Sequence, residues 1–225
     1  MQAFFFPTGD ALRLFGVWRE VDAARRVWVL CPPFAEEEKS ARRVLTLIAQ
    51  ELEKRGESSL LFSFRGTGDS EGDFAAANLT AWRQDLRAAR DEVKKRAPDA
   101  DLALLGVRLG ASLALLEAEN LGAQTLVMIE PLLSGRSFLM QQSAKKQIRA
   151  QLTGEAPAKT ESSPAEDLDG WKLGSNLKDE LSALDLKGDT PRFSRQTHLF
   201  HVGPRAEVAP PLQNFGAALK HEARA

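Results

Sequence analysis

The sequence predicts an α/β fold in which a mostly parallel β-sheet is flanked by helices. Three observations predict it: short apolar runs typical of buried strands, segments of helical periodicity between those runs, and turns containing Gly or Pro that separate the two. An antiparallel hairpin precedes this alternation. We expect a small helical cap and an abbreviated C-terminal part to follow it.

Composition limits the classes of protein to which the chain can belong. Its 225 residues suffice for one sizeable domain or for a domain with a small cap, and 43% of them are hydrophobic. The net charge of -1 argues against a nucleic-acid-binding protein. Cys31 is the only cysteine, so no intrachain disulfide can form and a Cys-rich zinc site is excluded. We therefore expect neither a metal nor another cofactor.

The N-terminal third of the chain starts with a predicted hairpin. Two strands, residues 2–6 and 13–18, flank a turn at Pro7 to Asp10. A third apolar run at residues 27–30 ends at Cys31, where two prolines follow. The next predicted elements are, in order, a helix at 40–55, a strand at 59–64, a helix at 79–97, a strand at 101–105, a helix at 109–120 and a strand at 125–129.

The regular alternation ends after Pro131. We predict a helix at 137–152, a flexible polar loop at 153–170, a helix at 176–186, a strand at 197–202 and a final helix at 212–220. The chain accordingly divides into a core at 1–131, a helical cap or insertion at 132–186, and a C-terminal strand and helix at 187–225 that complete the core.

Sites in parallel sheets gather at the carboxyl ends of the strands. One such end carries Gly106-Val107-Arg108-Leu109-Gly110, a strand-to-helix junction with glycines two residues either side of its centre. In many hydrolases the central position of this turn holds a nucleophilic serine. Here it holds Arg108.

The order of these motifs resembles the α/β-hydrolase superfamily. Its parts are the hairpin, the strand that ends before CPPFAEEEKSARR, the glycine-rich loop RGTGDSEGDF, and the turn within LLGVRLGASLAL. Together with IEPLLSGRSFL, they resemble more narrowly the second type of hydrolase found beside the exosortase A protein-sorting system. That resemblance implies a bacterial cytoplasmic protein in an exopolysaccharide and protein-sorting setting, a hydrolase label, and an arginine at the turn as part of the group's own pattern.

Hydrolysis by the serine-hydrolase mechanism needs a nucleophile, a base and an acid that orients the base. Arginine cannot attack an acyl carbon, because its guanidinium remains protonated. Ser70 lies in the glycine-rich loop, and Ser112 lies one turn inside the helix after Arg108. We retain both as candidate nucleophiles of an esterase or thioesterase, although we expect Ser112 to pack against the sheet.

The acid and the base are not recognisable in the sequence. Asp185 and Asp189 precede His198 and His201, but too few residues separate them for the usual acid and histidine loops. Because the two histidines are three residues apart on a predicted strand, they should point to opposite faces, one towards the core and one towards solvent. His201 is the candidate base, and His221 lies near the C-terminus.

Arg108 has two competing roles. In one it is a buried cation neutralised by a carboxylate, for which Glu36, Glu37, Asp69 and Glu130 are the candidates because they belong to loops at the same sheet edge. In the other it binds an anionic ligand. The start of the following helix at Leu109 and the loop residues Phe34 and Ala35 complete this candidate anion site.

Three classes of function remain open: a non-hydrolytic protein that binds a small anion or a partner protein, an esterase-type hydrolase, and a pure interaction module. MQAFFFPTGD lacks the features of a signal peptide, and no apolar run could span a membrane, so we expect a cytoplasmic protein. A missing last strand would leave a sheet edge that a second copy could cover.

Overall fold

A computed structural model describes residues 1–153, 166–168, 170–188, 191–203 and 207–222. Within these residues there are nine strands: β1 (Gln2–Pro7), β2 (Arg13–Arg19), β3 (Arg26–Cys31), β4 (Ser58–Phe62), β5 (Asp101–Val107), β6 (Thr125–Ile129), β7 (Glu166–Leu168), β8 (Trp171–Leu173) and β9 (Gln196–Phe200). The helices in the same part of the chain are α1 (Glu36–Lys54), α2 (Leu79–Arg96), α3 (Leu109–Ala118), α4 (Gly135–Thr153), α5 (Ser175–Ala183) and α6 (Pro210–Glu222), with a 3-10 turn at Phe74–Ala76.

Seven of the described strands form one sheet in the order β1-β2-β4-β3-β5-β6-β9. The pairs β1–β2 and β2–β4 are antiparallel, and all other neighbours in this sheet are parallel. The predicted fold class is therefore confirmed, including the antiparallel hairpin at the N-terminus. No helix within the described ranges has both the length and the apolar character needed to cross a membrane.

The central strands are continuous apolar runs because both of their faces are buried. In β3, Val27 and Val29 contribute to the larger core, whereas Trp28 and Leu30 contribute to the core beneath α1. β5 divides in the same way between the two faces. Burial on both sides is the usual condition of parallel strands flanked by helices. This arrangement fixes the carboxyl ends of β3, β5 and β6 side by side at one edge of the sheet.

The region between β6 and β9 contains α4, α5 and a hairpin formed by β7 and β8. The prediction of a flexible loop at 153–170 is wrong for its described part, because β7 pairs with β8 and buries Leu168. Residues 154–165 and 169 of that loop lie outside the described residues. Glu180 accepts hydrogen bonds from the amide and the hydroxyl of Thr80, both at 2.9 Å, and so ties α5 to α2.

Two element boundaries that concern the site differ from the predictions. α1 begins at Glu36 and not at residue 40, so three glutamates occupy its first turn, where the helix dipole favours negative charge. β9 ends at Phe200, so His201 lies just beyond the strand and not within it. Its orientation is therefore set by the loop after β9, and the alternation of side chains along a strand does not apply to it.

Candidate functional site

Arg108 lies at the tip of a sharp turn between β5 and α3. Its backbone has φ 54° and ψ -122°, and its amide donates to the carbonyl of Ile129 at 2.9 Å. A Cβ atom added at Gly106 would overlap the backbone of Ala111, and one added at Gly110 would overlap the carbonyl oxygens of Cys31 and Pro32. Both glycines are thus required by close backbone contacts, and the turn has the strand-to-helix geometry of a nucleophile elbow.

Three neighbouring strand ends each carry a non-glycine residue in the left-handed region. They are Ala35 after β3 (φ 54°), Arg108 after β5 (φ 54°) and Glu130 after β6 (φ 49°). Each such residue costs on the order of 1–3 kcal/mol, and strained residues of this kind cluster at functional sites. All three line the same cleft.

The guanidinium of Arg108 is paired with Glu37. Its Nε lies 3.2 Å from both carboxylate oxygens, and Nη1 donates to the backbone carbonyl of Glu130 at 3.4 Å. The side chains of Arg108 and Glu37 are 29% and 32% exposed, so water reaches this ion pair. The positive charge of Arg108 therefore faces one carboxylate, at the N-terminus of α1.

Two other predicted charge partners of Arg108, Glu36 and Asp69, are engaged elsewhere. Glu36 pairs with Lys39 at 2.8 Å. Successive residues of α1 point about 100° apart, so Glu36 does not share the direction of Glu37, which contacts Arg108. Asp69 lies 3.8 Å from Arg42. It follows β4, which is separated by β3 from β5, the strand that leads to Arg108. These two assignments are corrected accordingly.

Glu130 and His201 form an acid–histidine pair at the same sheet edge. Nδ1 of His201 is hydrogen-bonded to Oε1 of Glu130, and the amide of Val202 donates to the same oxygen at 2.8 Å. Glu130 follows β6 and His201 follows β9, which are adjacent parallel strands. With Nδ1 engaged, Nε2 is the ring nitrogen left for a proton transfer.

The sequence did not predict this pair, because the acid was expected at Asp185 or Asp189, shortly before the last strand, and not directly after β6. Asp185 accepts hydrogen bonds from the amides of Lys187 and Gly188 and so stabilises a local turn, and Asp189 lies outside the described residues. His198 lies within β9 and is exposed. The signal available in the sequence was the position of Glu130 and His201 directly after two apolar strands.

The other candidate nucleophiles are held in structural hydrogen bonds. Ser70 Oγ donates to the carbonyl of Ser63 at 2.6 Å and accepts from the amide of Phe15 at 2.9 Å. Ser112 Oγ donates to the carbonyl of Leu132 at 2.8 Å, and Ser112 is fully buried. Neither Ser70 nor Ser112 lines the cleft.

The thiol of Cys31 is also buried completely, at the end of β3. Desolvation by this burial raises the pKa of the Cys31 thiol well above its usual range. The thiol therefore stays protonated and is a poor nucleophile. Within the described residues, no group of three or more His, Cys, Asp and Glu side chains could hold a metal ion.

The cleft beside Arg108 has a volume of about 540 Å³. Most of its lining residues are apolar, and the complete set is Pro33, Phe34, Ala35, Glu36, Glu37, Ser40, Ala41, Val44, Val107, Arg108, Ile129, Glu130, Phe138, Gln142, Lys145, Leu168 and Val202. Of the residues predicted for an anion site, Phe34, Ala35 and Arg108 line the cleft. The side chain of Leu109 is buried in the core, so this residue can contribute only the first amide of α3.

Comparisons with known proteins support the fold. No family model matches the sequence, and no curated protein matches it significantly. Among solved structures, the chain is similar to Est1E from Butyrivibrio proteoclasticus, with a TM-score of 0.67, 16% identity, and coverage of 100% of this chain and 86% of Est1E.

Two further structures give the same result. The chain is similar to alpha/beta hydrolase domain-containing protein 10 from mouse, with a TM-score of 0.61, 15% identity, and coverage of 89% of this chain and 77% of the mouse chain. It is also similar to an α/β serine hydrolase without a lid from Xanthomonas campestris, with a TM-score of 0.53, 22% identity, and coverage of 99% and 93%. The chain therefore has the α/β-hydrolase fold.

Proposed function

We propose that this α/β-hydrolase-fold chain does not hydrolyse substrates with a serine nucleophile and that it binds an anionic small molecule through Arg108. The observation that carries the proposal is the position of Arg108 at the tip of the elbow, with its guanidinium at the cleft and paired with Glu37. A guanidinium cannot form an acyl-enzyme intermediate, but it binds carboxylates and phosphates well. Arg108 thus supplies an anion-binding group at the position where many hydrolases have a reactive one.

The ion pair with Glu37 is compatible with ligand binding. Both side chains are about one-third exposed, and exposed pairs contribute only about 0–1 kcal/mol to stability. A ligand anion can therefore replace the carboxylate of Glu37 at little cost. In this way the two roles considered for Arg108 belong to the free and the bound states of one site.

The anion site is tested by thermal shift with acetate, benzoate and inorganic phosphate. We expect at least one of these anions to raise the melting temperature of the wild type and of Arg43→Gln, and to leave Arg108→Gln unchanged. Arg43 is a suitable control because it is an exposed arginine of α1 that does not line the cleft. Equal shifts in all three proteins would overturn the assignment of the site to Arg108.

The alternative function is an active esterase or thioesterase that uses Ser70 or Ser112. The hydrogen bonds of these hydroxyls and their distance from the cleft lining argue against it. The wild type is incubated with short acyl p-nitrophenyl esters and with a fluorophosphonate probe, and we expect neither turnover nor labelling. Turnover that is lost in Ser70→Ala or Ser112→Ala would establish the alternative.

We also propose a cellular setting and a partner. The resemblance to exosortase A-associated hydrolases supports a bacterial cytoplasmic protein that acts in that system.

β9 is the outermost strand of the described sheet next to β6, and Phe200 and Val202 at its end are 52% and 70% exposed. A second copy of the chain is the partner we propose for this edge. Light scattering should give a dimer for the wild type and a monomer for Phe200→Lys, and a monomeric wild type would exclude this arrangement.

A further inference from the structure

The walls of the cleft are mostly apolar, and Lys145 of α4 is a second cation among its lining residues. α1 contributes Ala41 and Val44, α4 contributes Phe138, and the strand ends contribute Val107 and Ile129. A volume of about 540 Å³ lies within the range of sites that enclose a small organic molecule. Such walls gain nothing from a small hydrated anion, but they bind an apolar chain by removing it from water.

The group that now occupies Arg108 indicates which anion fits. Glu37 presents a carboxylate, and Nε of Arg108 lies 3.2 Å from both of its oxygens. The protein's own side chain thus shows that a planar monoanion can be accommodated on this guanidinium. We infer that the ligand is an amphipathic monocarboxylate, whose head group replaces Glu37 on Arg108 and whose apolar tail lies in the cleft. This inference rests on the proposed function and names the ligand class of the same site.

The distribution of charge favours one negative charge over two. Of the other carboxylates in the cleft lining, Glu36 is paired with Lys39, and Glu130 is held by His201 and by the amide of Val202. Arg108 therefore becomes available when Glu37 leaves, whereas Lys145, the other cation of the cleft lining, is an exposed side chain of α4. The carboxylates of Glu37 and Glu130 would repel a dianion such as a phosphate monoester about twice as strongly as a monocarboxylate, because the repulsion is proportional to the charge of the ligand.

The departure of Glu37 needs no rearrangement of the backbone. Its side chain is 32% exposed and lies in the first turn of α1, where the helix dipole stabilises a free carboxylate. The displaced group can consequently turn towards water and remain charged. The variant Glu37→Gln should remove the carboxylate that competes with the ligand for Arg108 and increase the affinity for carboxylates several-fold.

The apolar tail is tested by calorimetry with unbranched alkanoates of increasing length, each below its micelle concentration. We expect the affinity to rise about fourfold for each added methylene, because each buried methylene contributes a constant increment, until the cleft is full. The primary alcohol of the same chain length should bind at least tenfold more weakly. The difference between acid and alcohol should disappear in Arg108→Gln.

Two variants of α1 provide a matched comparison. Val44 and Leu47 are 52% and 50% exposed, and only Val44 lines the cleft. Val44→Gln should weaken the binding of a long alkanoate several-fold and leave acetate unaffected, whereas Leu47→Gln should change neither. Since both positions face solvent, both variants should fold normally.

The outcomes separate the two proposals. If short anions bind in a manner that depends on Arg108 but the affinity does not increase with chain length, the tail and its cleft are wrong and the anion site stands. If no anion of any length binds through Arg108, the proposed function itself fails. An equal loss in Val44→Gln and Leu47→Gln would likewise overturn the placement of the tail.

Discussion

Nδ1 of His201 is hydrogen-bonded to the carboxylate of Glu130 across the carboxyl ends of two adjacent parallel strands. Along the chain, the elbow residue Arg108 comes first, the acid second and the histidine third. This is the order of nucleophile, acid and histidine in the α/β-hydrolase fold. At this sheet edge the chain therefore combines an acid–histidine hydrogen bond with a sharp strand-to-helix turn, and the residue at the tip of that turn is Arg108.

The first prediction concerns that residue. Arg108→Ser should make the protein react with a fluorophosphonate probe and hydrolyse short acyl p-nitrophenyl esters. The elbow would then present a hydroxyl at the same sheet edge as His201, whose Nδ1 is hydrogen-bonded to Glu130. Probe labelling on a gel and ester turnover by absorbance measure the gain.

His201 provides the control for this gain. Adding His201→Gln to Arg108→Ser should lower the turnover by at least about 100-fold, the contribution expected of a general base. Arg108→Ala should show no turnover. Equal activity with and without His201 would mean that the Glu130–His201 pair plays no part at the elbow.

The second prediction concerns the backbone of the elbow. Gly110→Ala should lower the free energy of unfolding by about 3 kcal/mol or prevent folding, because the added Cβ would overlap the carbonyl oxygens of Cys31 and Pro32. Gly9→Ala is the control, since an added Cβ there meets nothing within 4 Å, and it should change stability by less than about 0.5 kcal/mol. Urea denaturation measures both, and similar values would contradict the close contact at Gly110.

The third prediction concerns Glu117, a completely buried carboxylate of α3. It accepts hydrogen bonds from Arg83 Nε at 2.5 Å and from Arg87 Nε at 2.8 Å, both on α2. The double variant Arg83→Met with Arg87→Met should cost about 3–5 kcal/mol, because it leaves a buried charge without a partner. Glu117→Gln should cost less, since the two arginines remain partly exposed to water.

The same site has a defined pH dependence. Burial alone would raise the pKa of Glu117, but the hydrogen bonds and charges of Arg87 and Arg83 outweigh it and lower that pKa below its usual value. The folded protein therefore binds this proton less readily than the unfolded chain, so the stabilisation is present at neutral pH and is lost as the pH falls through the folded-state pKa. The stability difference between wild type and Glu117→Gln should be constant near neutral pH and should shrink as the pH falls below the unfolded-state pKa of 4.5 in urea titrations. A difference independent of pH would contradict the shift.

The fourth prediction compares two ion pairs of different burial. Glu37→Gln should change the free energy of unfolding by less than about 1 kcal/mol, because its pair with Arg108 is open to water. Asp85 is completely buried and accepts from Nε, Nη2 and the amide of Arg65, so Asp85→Asn should cost about 3 kcal/mol or more. Comparable losses in the two variants would show that Glu37 is a structural residue that a ligand cannot easily displace.

The sequence predicted the parts of the site that depend on local backbone. The elbow could be located because Gly106 and Gly110 frame Arg108 between an apolar strand and a helix. The strands around it could be assigned because strands buried on both faces are continuous apolar runs. Local periodicity was sufficient for the sheet, the hairpin and the flanking helices.

The parts that were missed depend on which strands become neighbours. Glu130 and His201 meet because β9 pairs with β6 after a long intervening region, and no local pattern specifies that pairing. Likewise, Glu37 was one of four candidate partners of Arg108, and only the rotation of α1 distinguishes it from Glu36. The hairpin of β7 and β8 was missed because its three-residue strands are too short to show an alternating pattern.

Cys31 offers a direct measure of how often the structure around the carboxyl end of β3 opens. It is the sole cysteine of the chain, it is fully buried, and it lies in β3 between β4 and β5. A thiol reagent can reach it only when the structure around the end of β3 opens, so the labelling rate of the native protein reports the population of opened molecules without any introduced probe. A ligand that binds beside Arg108 in the folded state should slow that labelling, which makes the unmodified chain its own assay for candidate ligands.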